Sequence, residues 1–229
     1  MVATKKANRI SGNGTAANLA EIVTTAERII IPKPDFRRFK VRLRGLTSYM
    51  QHHFSDDAAR KIIDKQQQKA KQPRGKRDPH AEYLAACYLI SGKAGEKGAV
   101  YGIPCRQIKA AMVAACRYVD GLHMVEARGI CTIMGEDNFD YATLQYEDMR
   151  MSTEGIRLPN KALDLRYRPE WLEWSTTVVV EYLATAVSAE QLINLLSIAG
   201  RCCGIGEWRP NSSSGPGGSH GMFEVETAS

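Results

Sequence analysis

The chain has 229 residues, 44% of them hydrophobic and 24% charged, with 31 Lys and Arg against 25 Asp and Glu. This length and composition suit one globular domain with embellishments and exclude a wholly disordered chain. A formal charge of +6 favours an anionic partner. No apolar run approaches the roughly 18 residues of a membrane-spanning helix, and Met1-Val2-Ala3-Thr4-Lys5-Lys6 lacks the apolar core of a secretory signal. A cytoplasmic protein without membrane contact is expected.

Residues 1–20, rich in Lys, Asn, Gly, Thr and Ala, read as a disordered basic tail before a single domain over 21–229. The β-branched run between Glu21 and Pro32 suggests a strand or strand pair. Phe39–Gly45 is a clearer strand. Phe39, Val41 and Leu43 point one way, and Arg38, Lys40, Arg42 and Arg44 the other, so period two predicts an apolar back and a cationic front. Ser55-Asp56-Asp57 opens a helix, with acids at the positive end of its dipole. It runs through Lys61, Lys65 and Lys69 into the basic stretch 71–77, an exposed arm or a flexible insertion. The whole insertion covers about 55–100. Within it Asp78 caps a helix before Pro79, a second helix spans His80–Ser91, and Gly92–Gly98 is a turn.

The clearest helix covers 104–119. Ile108, Ala111, Met112, Ala115, Cys116 and Val119 make one buried stripe, with Pro104 in the first turn and Gly121 beyond the end. Strands are expected at His123–Met134, Tyr141–Tyr146, Leu163–Tyr167 and within Trp171–Leu183. Trp171 and Trp174 read as core or interface anchors. Ser188-Ala189-Glu190-Gln191 is a capping box for a last helix that turns Leu192, Leu195, Leu196 and Ala199 inward.

After Gly200 comes a glycine-rich loop, Gly204-Ile205-Gly206-Glu207-Trp208-Arg209-Pro210, then a Ser/Gly tract, then Gly217-Gly218-Ser219-His220-Gly221 opening into a short strand. Glycine lets backbone lie close against a ligand, and consecutive N–H groups form a concavity that suits phosphate. Arg201, Arg209 and His220 stand beside those amides. Strand, helix, strand, strand, helix, glycine loop and strand give an α+β fold: a ferredoxin-like, RRM-like βαββαβ core with an antiparallel sheet. Both helices would cover one face and leave the other for single-stranded nucleic acid.

The six cysteines, at 87, 105, 116, 131, 202 and 203, include no CxxC pair and read as reduced, buried thiols. Neither a metal site nor a cofactor is expected. Glu136, Asp137, Asp140, Glu147 and Asp148 read as turn residues, and His52, His53 and His220 are the histidines from which a catalytic group would have to come.

Two segments carry a family resemblance. Ile103-Pro104-x-x-x-x-Lys109-Ala110-Ala111 resembles the signature near the first helix of the RAMP superfamily, the RNA-binding subunits of CRISPR effector complexes. The glycine loop before the last strand resembles that superfamily's C-terminal glycine-rich motif. Cys105-Arg106-Gln107 replaces the usual glycine and serines, and Ala110 stands where glycine is usual. Phe39–Gly45 with Leu46-Thr47 resembles the opening strand of such proteins. The stretches RLRGLT, YGIP, KAAMVAA and RPEWLEW are also similar to uncharacterised bacteriophage proteins.

The resemblance implies a non-enzymatic backbone-type subunit that binds single-stranded RNA, or DNA, without strong sequence preference. It would assemble as a homo-oligomer or filament, or with other subunits of a ribonucleoprotein, in a bacterial host's cytoplasm. The binding residues expected are Arg38, Lys40, Arg42, Arg44, Lys109, Arg201, Gly204, Gly206, Trp208, Arg209, Gly218, His220 and Gly221. Two alternatives stay open: a metal-independent endoribonuclease, and a protein-interaction subunit with no nucleic-acid role.

Overall fold

Alternating side chains set the central strand, and the rest of the molecule is arranged by which of its two faces they meet. In a computed structural model that describes residues 31–69, 76–157, 160–212 and 217–226, β1 (Phe36–Gly45) buries Val41 and Leu43 and exposes Arg38, Lys40, Arg42 and Arg44. The expected tail 1–20, most of the strand pair 21–32 and residues 70–75 of the basic arm lie outside the described residues. Residues 31–34 are in no strand or helix and belong to a unit that ends at Pro34; Asp35–Ser229 form a second unit.

The second unit is α+β, with antiparallel sheets. After β1 come β2 (Tyr49–Met50), α1 (Asp56–Gln66), α2 (Pro79–Ala85), β3 (Leu89–Ser91), β4 (Val100–Pro104) and α3 (Cys105–Ala115). A 3-10 turn, Cys116–Tyr118, leads to α4 (Met124–Ile130), β5 (Cys131–Gly135), β6 (Tyr141–Thr143), β7 (Asp148–Arg157), β8 (Leu163–Leu172) and β9 (Ser175–Leu183). Then α5 (Ala189–Ile198), a π-helical turn (Ala199–Cys203) and β10 (Phe223–Glu226) close the chain's described course.

The largest sheet has the order β10-β1-β9-β5, every neighbour antiparallel. Val41 lies opposite Val178, Leu43 opposite Thr176 and Ile133 opposite Val180. Val41, Leu43, Ile133, Val178 and Val180 share one apolar core with Ile108, Met112, Leu192 and Leu196, so α3 and α5 cover the same side. Two three-stranded sheets, β2-β8-β7 and β3-β4-β6, flank this body. Gln51, fully buried, joins them: its side chain donates to the Gly102 carbonyl at 2.8 Å and accepts from the Tyr88 amide at 3.0 Å, while its backbone N–H donates to the Pro169 carbonyl. An amide that bonds at both ends removes the penalty of a buried polar group.

Several local expectations hold. Asp78 accepts from the amides of His80 and Ala81 and caps α2. Ser188 and Gln191 exchange both bonds of the capping box. Trp171 and Trp174 are 0% and 1% exposed, core residues as expected. Burial pushes the Cys87 thiol up to about 12 and Cys105 to about 11, which leaves them protonated and inert, but Cys202, expected to be buried, is exposed.

Three segments differ. The helix expected over His80–Ser91 stops at Ala85, and Leu89–Ser91 pairs with β4 instead. The strand expected over His123–Met134 is helical to Ile130, because Glu126 accepts from the His123 amide to cap the first turn and Ala127 packs inward. β7, with Glu154 and Gly155 inside it, carries no strand signal; it forms because β8 pairs with it along its whole length.

Gly135 tests the packing. A Cβ there would lie 2.1 Å from the Tyr141 carbonyl oxygen, an obstacle of backbone, whereas one at Gly129 in α4 meets nothing within 4 Å. Gly135→Ala is expected to destabilise by about 1–3 kcal/mol and Gly129→Ala to stabilise by up to about 1 kcal/mol, measured by urea unfolding.

Candidate nucleic-acid interface

The outward face of the four-stranded sheet is close to neutral. Arg38 pairs with Glu181 at 2.5 Å, Lys40 with Glu136 at 3.0 Å and Arg42 with Glu226 at 3.2 Å. Arg44 binds Glu224 and also reaches Glu226. Arg201 joins the same network through Glu224 at 3.3 Å. The register that sets Arg42 opposite Glu226 and Arg44 opposite Glu224 builds these pairs into the sheet. Exposed pairs of this kind add little stability, but each carboxylate cancels the field its cation would otherwise offer a phosphate.

The glycine loop forms a lip on the helical side of the sheet, away from the β1 cations. It is fastened to the segment leading into β2 and to β2 itself: the Gly221 amide donates to the Ser48 carbonyl at 2.7 Å and the Glu207 amide to Met50 at 3.0 Å. Within the lip, Ile205 donates to Gly221, Gly218 to Arg209 and His220 to Trp208. Those amides therefore serve the protein's own carbonyls. Glycine is needed for the approach of backbone to backbone: a Cβ on Gly221 would sit 1.8 Å from the Ile205 carbonyl oxygen, and one on Gly206 2.4 Å from that of Met50. Trp208 adopts φ +53°, and its indole N–H is buried without a partner among the described residues.

Two carboxylates stitch the lip to β8. Glu170 accepts two bonds from Arg150 at 2.9 Å and one from Ser48 at 2.6 Å, and His220 Nδ1 lies 2.9 Å from the Ser48 hydroxyl and 3.9 Å from Glu170. Glu207 stands 3.6 Å from His52 and 3.3 Å from the buried Arg168. The bonds from Arg150 hold the Glu170 carboxyl below its ordinary range, and the contact with His52 does the same for Glu207. Burial lowers Arg168. His53 packs edge-on against Tyr88, so the three histidines occupy different surroundings.

Helix α3 separates two clefts. One, of about 220 Å³, lies between α3 and the lip; Gln107, Ala110, Gly206, Arg209, Asn211 and His52 line it. The Tyr49 hydroxyl donates to Gln107 at 2.8 Å and holds that side chain at the rim. The other, of about 450 Å³, lies between α3, α4 and the β5–β6 turn, with Arg106, Lys109 and Arg128 in its wall. Lys109 is held there rather than at the lip: its ammonium donates to the carbonyls of Ala127 and Cys131 at 2.6 and 2.5 Å.

The cations around these clefts contrast with those of β1. Arg106, Arg117, Arg128 and Arg209 make no ion pair with any described carboxylate. Arg209 donates to the Gly206 carbonyl, and Arg117 to Asn211. Of the residues expected to bind nucleic acid, the structure therefore gathers Gly204, Gly206 and Arg209 at one cleft and Lys109 at the other. Arg38, Lys40, Arg42, Arg44 and Arg201 stand apart with their carboxylates. Arg106, Arg117 and Arg128 were not expected; Arg106 and Arg128 have no acid three or four residues away in the sequence, whereas Arg117 has Asp120 three residues on.

Among the described residues no helix is long and apolar enough to cross a membrane, and no group of three or more His, Cys, Asp or Glu side chains could hold a metal ion. No protein-family model matches the sequence, and no curated protein matches it. Among solved structures the chain is similar to a chain of the type III-B Cmr-beta bound to cognate target RNA, with 10% identity and a TM-score of 0.44 over 92% of this chain. It spans 63% of the length of that chain. It is also similar to Cmr6 from Pyrococcus furiosus, with 10% identity and a TM-score of 0.39 over 85% of this chain and 100% of that one.

The lowered Glu170 makes stability depend on acid. A carboxyl whose folded pKa is depressed contributes stability above its unfolded value, and that contribution is lost as pH falls through the folded pKa. Glu170→Gln is expected to be less stable than the parent at pH 7. The gap should narrow as pH falls below the ordinary value of 4.5, as read from urea midpoints against pH.

Proposed function

We propose that the chain is a ferredoxin-like, split βαβ module that binds single-stranded nucleic acid, RNA in preference to DNA, across α3 from the glycine lip to the second cleft. The supporting observation is the distribution of charge balance. The cations of β1 are paired with carboxylates, and four of the five described arginines without an ion pair, Arg106, Arg117, Arg128 and Arg209, stand around the two clefts, while the fifth, Arg157, is on β7. The strand order β10-β1-β9-β5, with α3 and α5 on one side, is the order a split βαβ unit requires.

Binding on this reading is mainly to phosphates, so it tolerates sequence and weakens with salt. The preference for RNA, the phage origin and the alignment of successive copies along one strand follow from the sequence resemblance, and micrographs with and without an oligonucleotide test the last of these. The lip is a positioning element: its amides hold Arg209 and Asn211 beside α3 while Glu170 and Glu207 anchor it.

Anisotropy titrations of labelled single-stranded RNA and DNA between low and physiological salt test the proposal. Each of Arg106→Ala, Arg128→Ala and Arg209→Ala is expected to lower the slope of log affinity against log salt by about 0.7 to 1. Arg42→Ala, whose guanidinium serves Glu226, should leave the slope unchanged. Equal losses from Arg42→Ala and Arg209→Ala would place the strand on the sheet instead, and no binding at low salt would leave the protein-interaction alternative. RNA incubated with the protein in chelator should remain intact; cleavage that His52→Ala or His220→Ala abolishes would select the endoribonuclease.

A further inference from the structure

We infer that the cleft between α3, α4 and the β5–β6 turn is a receptor for one whole nucleotide, with its base on Phe139 and its phosphate between Arg106 and Arg128. The inference rests on the proposed strand path for its biological ligand, but the cleft can be tested by itself with a free nucleotide.

Phe139 is 65% exposed, a large apolar surface on a turn that is otherwise rigid. The Asn138 side chain accepts from the amides of Asp140 and Tyr141 at 2.9 and 3.2 Å, and Gly135 donates to the Asn138 carbonyl at 3.0 Å. The Cys105 amide, at the start of α3, donates to the Asp140 carbonyl at 2.8 Å and clamps the turn to that helix. Held by a turn this heavily bonded, the ring stands in a fixed place beside the cleft, an apolar face on which a base can stack.

Beside it, Arg106 and Arg128 are exposed and in ion pair with no described carboxylate, and Lys109 adds a third positive charge to the wall. The cleft volume of about 450 Å³ falls within the roughly 300–1,000 Å³ of small-ligand clefts. Apolar ring and guanidinium groups on one wall match the two halves of a nucleotide, and neither half alone would use both. Asp140 is the one carboxylate in the lining. It can accept from an exocyclic amino group, so adenine, cytosine and guanine are favoured over uracil.

Two measurements test this. In the first, adenosine 5′-monophosphate is titrated into the protein and followed by amide shifts. Shifts should centre on the Phe139 turn and the start of α3, and Phe139→Ala should weaken binding by about tenfold. In the second, a single strand carrying one 2-aminopurine is bound. Its fluorescence should be quenched by the parent, while Phe139→Ala should keep most strand affinity and lose the quench. Because Phe139 is exposed, that variant is expected to fold.

If the strand binds but the mononucleotide does not shift the turn and the quench survives Phe139→Ala, the nucleotide receptor is overturned and the strand-binding proposal stands. If the mononucleotide shifts the turn while no strand binds, the receptor stands and the strand proposal falls. If neither binds, the receptor is overturned with it.

Discussion

The antiparallel pairing of Phe223–Glu226 with Arg42–Gly45 governs the rest of the structure. It seats Glu224 and Glu226 on Arg42 and Arg44, and so removes the positive field that β1 alone would present. It also requires the chain between α5 and β10 to run back over the start of β2, which puts the glycine lip beside α3. One register thus neutralises one surface and assembles another.

The lip shows why glycine clusters are ambiguous. Its glycines are there because carbonyls of Met50 and Ile205 approach closer than a Cβ allows, and the amides they free are bonded to protein carbonyls. Rigidity is the outcome. Held by Glu170 and Glu207 to a buried part of β8, the lip can present Arg209 and Asn211 at a constant distance from Gln107 and Ala110. A pre-positioned charge loses less freedom when it meets a phosphate than a mobile one does.

α3 holds a related position on the other side. Its buried face is rich in small residues, which lets it lie close to the sheet; its first residue, Cys105, ties it to the Phe139 turn, and Lys109, one turn on, ties it to the end of α4. The lysine suits this because an ammonium can donate to several carbonyls at once. A segment that resembles a ligand-binding signature is here partly a structural clamp, while Arg106 and Gln107 within it line the two clefts.

By itself the sequence determined the features that depend on neighbours along the chain. Period two gave β1 its two faces, the 3.6-residue repeat gave α3 and α5 their buried stripes, and the caps at Asp78 and Ser188 were legible because such bonds reach only three residues. The order of elements also pointed to the α+β arrangement of the main sheet. What only the tertiary structure decided was charge balance and contact across distance. No local pattern pairs Arg42 with Glu226 across the sheet, turns Met124–Ile130 into a helix against α3, or makes a strand of Asp148–Arg157 opposite β8. Coulombic cancellation depends on distance in space, so the neutralisation of the β1 cations could be read only once the carboxylates of β9 and β10 had their places.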